Sequence, residues 1–122
     1  MTKYFGEKIV VDGETYDSLN EYERWCDLRL LERDGKISEL NRKVKYVLVP
    51  SQRDESGKLI EHEVSYIAAF EYILDGNKVI EDSTDYGRGA SYQLFSIKRK
   101  LMLYKFGIKI KEGNFIQPIK RS

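Results

Sequence analysis

The chain has 122 residues, 41% hydrophobic and 12% aromatic, which suits one domain with one core and excludes a disordered tail. No apolar run approaches the roughly 20 residues of a membrane span, and the opening MTKYFGEK lacks the apolar stretch of a secretory signal. A single cysteine, Cys26, and a single histidine, His62, exclude an internal disulfide and a Cys/His zinc site, so a divalent ion would have to sit on carboxylates, as magnesium, manganese or calcium do.

The net charge of +1 hides an asymmetry. Residues 88–122 carry nine Lys or Arg against one acid, a local net of +8, while the first 87 residues carry 12 basic and 19 acidic groups, a net of −7. A surface polarised in this way can meet a polyanion such as nucleic acid through its basic third, above all through Arg88, Lys98, Arg99, Lys100 and Lys105. A solvated lysine-rich helix face is the plain alternative.

In chain order, EKIVVDGETY predicts a hairpin around Asp12-Gly13. Ser18, with Glu21 three residues on, forms a capping box that starts a helix over about 18–34, ending near Asp34-Gly35. Tyr22 and Trp25 are expected in the core. KISEL and KVKYVLV read as strands, and PSQRDESGK as a polar loop. A long hairpin occupies about 59–82, with its turn at Asp75-Gly76. Residues 83–89 form a loop. A second helix covers about 90–106, with Leu94, Ile97, Leu101 and Tyr104 on its apolar side, Lys98-Arg99-Lys100 outside, and Gly107 at its end. Ile108 and Ile110 suggest a last strand. The expectation is a single α+β domain spanning 1–122, with a mixed or antiparallel sheet flanked by two helices. His62 receives no role, and Tyr86, Tyr92 and Tyr104 are expected at the surface, where they could stack on bases or line an interface.

The Asp75-Gly76 turn fixes the hairpin register. A two-residue turn pairs Leu74 with Asn77 and sets Ala69 across from Asp82, with Cβ atoms about 5 Å apart. Alternation puts Ile80, Asp82 and Thr84 on one face, and Glu81 on the other. An Asp at 69 would give two facing carboxylates suited to one hard cation, with a Lys at 84 beside them.

The segments YDSLNE, GKISEL, YIAAF, VIED and SIKRKLMLYKFGIKI, in this order from about Tyr16 to Ile110, resemble a family of small phage and prophage proteins related to the PD-(D/E)XK endonucleases, a superfamily that includes restriction enzymes and Holliday-junction resolvases. The resemblance implies a restriction-endonuclease-like fold and metal-dependent phosphodiester hydrolysis. It places Glu21 at the family's helical Glu and Asp82 at the acid of its acid–X–Lys pattern. Ala69 stands where the family has Asp, and Thr84 where it has Lys. The catalytic set is thus vestigial. Glu81 and Asp85 are the other acids near enough to help Asp82 hold an ion, and neither is a clean replacement. Thr84 is not a usual engineered choice, which points to natural loss.

Three readings follow. The favoured one is a nuclease-fold protein that binds branched or duplex DNA without cutting it and needs no cofactor. The second is an active endonuclease or junction resolvase with a rearranged site and Mg2+ or Mn2+. The third is a phage protein that blocks a host or defence protein. All three place the chain in the cytoplasm of a bacterial host, away from membranes, and a homodimer is compatible with each.

Overall fold

Two Asp-Gly turns organise the strands. In the computed structural model, which describes residues 7–82, 88–113 and 115–118, Asp12-Gly13 joins β1 (Ile9–Val11) to β2 (Glu14–Tyr16), and Asp75-Gly76 joins β6 (Val64–Leu74) to β7 (Asn77–Glu81). All four turn residues lie at positive φ, between 50° and 82°, as a type I′ turn requires. The second turn produces the expected register from Leu74↔Asn77 to Phe70↔Glu81.

Ser18 caps α1 (Leu19–Arg33) by accepting the Glu21 N–H at 3.1 Å. Glu21 closes the box differently from the usual pattern: its Oε2 accepts the N–H of Asp17, one residue before the cap, at 3.1 Å. The segments KISEL and KVKYVLV are not two strands but parts of one, β3 (Ser38–Val49). Conversely, the region expected as one strand over 59–74 is broken at His62-Glu63. Its first part, β5 (Leu59–Glu61), pairs with β4 (Gln52–Arg53) across the polar loop, where the Asp54 carboxylate accepts the N–H groups of Ser56 and Lys58.

The main sheet is antiparallel in the order β3-β6-β7. α2 (Ala90–Phe106) follows and ends at Gly107, whose φ of 69° suits glycine. Beyond it, the strand expected at Ile108 and Ile110 is reduced to one parallel bridge, Lys111 with Glu81. The chain is an α+β domain of two helices and antiparallel sheets, and among the described residues no helix is long and apolar enough to cross a membrane.

The core has two halves. Leu48, Tyr66, Ala68 and Ile80 pack with Phe95 and Met102 of α2 and with Ile110. Phe70 and Tyr72 pack with Leu28 and Leu31 of α1 and with Ile37, with Trp25 partly buried against them. Residues 66, 68, 70 and 72 would share one face of a regular strand, yet they divide between the halves. The division falls at Ala69. The ladder passes from Arg42↔Phe70 to Val44↔Ala68 and skips Lys43 and Ala69, and Lys43 lies at a φ of 56°, unusual for a side chain of its size.

α2 corrects the sequence reading. Of the apolar side expected from Leu94, Ile97, Leu101 and Tyr104, Leu101 packs against the core and the other three do not. Leu94, Ile97 and Tyr104 are 53%, 56% and 90% exposed, whereas Phe95 and Met102 are buried and Lys98 and Arg99 half-buried. Met102→Ala is accordingly expected to cost about 2–5 kcal/mol and Ile97→Ala under about 1 kcal/mol, read from urea unfolding; equal losses would contradict this packing.

Candidate functional site

The end of β7 sends two adjacent acids to opposite sides of the sheet. Glu81 is fully buried on the α1 side. Arg24 of α1 donates to it from Nε (2.9 Å) and Nη2 (2.6 Å), and the Tyr72 hydroxyl donates to the same Oε2 at 2.5 Å. Burial works against the charge on Arg24, but the hydrogen bonds and charge of Glu81 outweigh it and hold the guanidinium above its ordinary pKa. Burial, then the Glu81 carboxylate, push the Tyr72 hydroxyl well above the ordinary 10.0. Tyr46, whose hydroxyl donates to Glu71, is raised by the same kind of causes, burial first and then the carboxylate.

Asp82 is 7% exposed and lies on the α2 side, where its Oδ2 accepts the Tyr66 hydroxyl at 2.6 Å. Its N–H donates to the Lys111 carbonyl (3.1 Å), and the Lys111 N–H donates to the Ile80 carbonyl (2.8 Å). The segment after α2 thereby clamps the strand end that carries Asp82.

The structure does not bring Glu21 to Asp82. Glu21 is buried, but its Oε2 faces Arg42 at 3.5 Å, and Arg42 stacks over the Tyr16 ring with 4.0 Å from Cζ to the centroid. Arg42 is the register partner of Phe70, in the half of the core under α1, whereas Tyr66 belongs to the other half. The two carboxylates are therefore engaged on opposite faces. Ala69 is half-buried against the α1 half of the core. Thr84 and Asp85 lie outside the described residues, as do Ser83 and Tyr86.

These residues do not fit a divalent ion. Glu81 is held by a bidentate arginine, and among the described residues no group of three or more Asp, Glu, His or Cys side chains comes together. The basic residues expected to face nucleic acid also divide. Arg88 and Lys100 are exposed, and Lys98 lines a cleft of about 390 Å³ with Ser65, Tyr66, Ser91 and Phe95. Arg99 is drawn to Glu112 (3.5 Å), and Lys105 donates to the carbonyls of Val47 and Leu48 at 3.3 Å each.

Arg24, Arg42, Tyr66 and Tyr72 hold the three acids, and sequence reasoning missed all four. Arg24 Nη1 and Arg42 Nε are buried without a hydrogen-bond partner among the described residues. The one available signal was Arg24 standing beside Trp25 on the side of α1 that also carries Leu28 and Leu31.

Residues 1–121 match the family described as "Protein of unknown function (DUF1064)". The chain belongs to that family. No curated protein matches the chain, and no solved structure does.

Two outcomes follow from the buried pair. Arg24→Met strands the Glu81 charge and should cost about 3–5 kcal/mol, most of it recovered when Glu81→Leu is added, as read from urea midpoints. Because Tyr46 and Tyr72 are raised in the folded state, the folded chain keeps protons that the unfolded chain releases above about pH 10. Stability is therefore full below that pH and falls as pH rises beyond it. Tyr72→Phe should flatten the decline in thermal melts between about pH 9 and 11.5.

Proposed function

We propose that this chain is a degenerate nuclease-fold domain, related to the PD-(D/E)XK endonucleases, that binds DNA without cutting it. The observation that carries the reading is the position of Asp82. It sits at the end of the central hairpin, engaged by the Tyr66 hydroxyl, while Ala69, where the resemblance expects a second acid, packs on the α1 side of the sheet instead of facing Asp82. A sheet with a long hairpin and two flanking helices is the architecture that the sequence resemblance implies, and it supports the reading. So does the basic third of the chain, which offers phosphate neutralisation without base-edge specificity.

Cleavage would need an ion to neutralise the phosphate and activate water. Asp82 is held by Tyr66, Glu81 is neutralised by Arg24, and Glu21 is neutralised by Arg42 on the far face. The missing Lys at 84 would also leave the developing charge without a cation, a loss of a few kcal/mol where such groups act. The DNA held would be branched or duplex, in a phage-type protein acting in a bacterial host.

A second reading has its own observation. The stripe of Leu94, Ile97 and Tyr104 on α2 is exposed, as a surface that docks a host or defence protein would be. This reading expects tight protein binding and no DNA affinity at physiological salt.

Restoring the two absent groups tests the first reading. Ala69→Asp with Thr84→Lys should produce Mg2+- or Mn2+-dependent cleavage of labelled junction or duplex DNA, abolished by adding Asp82→Ala. A double variant that folds, binds Mn2+ and never cuts would refute the degenerate-nuclease assignment.

A further inference from the structure

α2 is the obvious place to seat a polyanion, but two of its four cations are committed elsewhere, Arg99 to Glu112 and Lys105 to the end of β3. Its most exposed side carries Leu94, Ile97 and Tyr104. A different part of the basic third is better arranged. Between β7 and the segment after α2 runs a groove of about 500 Å³ whose lining includes Lys78, Lys109, Lys111 and Glu112.

The lysines converge for a structural reason. The bridge of Lys111 to Glu81, with hydrogen bonds of 3.1 Å and 2.8 Å on its two sides, lays the segment parallel to β7. Ile108 and Ile110 turn into the α2 half of the core. In extended chain the alternate residues, Lys109 and Lys111, then face away from that core half. Lys78 reaches the same groove from β7. The acids near the groove are engaged: Glu112 is drawn to Arg99, and Glu71 both accepts the Tyr46 hydroxyl and pairs with Lys78 at 3.7 Å, which commits Lys78 as Arg99 is committed. Lys109 and Lys111 thus line one side of a concave track whose backbone is fixed before any ligand arrives, which lowers the ordering cost of binding.

We propose that this groove, through Lys109 and Lys111, holds the sugar–phosphate backbone of DNA and is the principal phosphate-binding surface of the chain. The proposal rests on the DNA-binding reading above and assigns its location. The same clamp that carries Lys111 holds the backbone of Asp82, so the track leads to the end of the central hairpin.

The test is a salt titration of fluorescence anisotropy, from about 50 to 200 mM NaCl, using the whole chain and a labelled duplex of about 20 base pairs. The slope of log K against log salt should fall by about two for Lys109→Ser with Lys111→Ser, since each phosphate left without its lysine removes about one unit. It should be retained by Lys109→Arg with Lys111→Arg, and should change less for Lys98→Ser with Lys100→Ser. Thermal melts confirm that each variant is folded. Wild-type binding with an unchanged slope in the folded Lys109/Lys111 serine variant would overturn the groove and leave DNA binding standing. Absence of wild-type binding at the lowest salt would overturn both.

Discussion

The buried pair of Arg24 and Glu81 is the constraint on which the rest of the architecture turns. A carboxylate taken wholly out of water must be paired and hydrogen-bonded, or the fold gives up several kcal/mol. Here Arg24 from α1 supplies two hydrogen bonds and Tyr72 from β6 a third. One side chain at the end of β7 thereby links the first helix, the central strand and the edge of the sheet. Because Glu81 must face α1, its neighbour Asp82 must face α2, where Tyr66 meets it. The acid that matters most for the functional reading is oriented by the acid beside it.

The same arrangement explains why the site is poor ground for a metal. A hard cation needs several oxygen ligands converging on one point. In this chain each buried acid is already answered by a donor from the protein: Glu81 by Arg24 and Tyr72, Glu21 by Arg42, and Asp82 by Tyr66. These donors satisfy the carboxylates, hold them in place and make them parts of the scaffold. Acids that serve structure in this way are ill suited to hold the ion that an attack on a phosphodiester would need.

Much of the fold was legible in local chemistry. Asp12-Gly13 and Asp75-Gly76 are turn dipeptides with one favoured geometry, so they set both hairpins and the register of the second as far as Phe70↔Glu81, but the expected apposition of Ala69 and Asp82 fails because β6 changes core halves at Ala69. Ser18 and Glu21 marked the start of α1, and Gly107 the end of α2. What was not legible depends on tertiary choices. Arg24 and Glu81 are 57 residues apart, and no local pattern ties them. The left-handed conformation at Lys43, beside the point where β6 changes core halves, leaves no mark in a residue that ordinarily avoids it. In α2, Leu94, Phe95, Ile97, Leu101, Met102, Leu103 and Phe106 ring so much of the helix that periodicity allowed more than one buried face, and the sheet selected Phe95 and Met102.

The central claim is binding without cleavage. It is tested most directly by incubating the unaltered chain with labelled four-way junction and linear duplex, with and without Mg2+ or Mn2+, on native gels at two salt concentrations. A retarded band that weakens with salt, with the DNA intact under every condition, is the predicted result. Metal-dependent shortened products, or no retardation at either salt concentration, would contradict it.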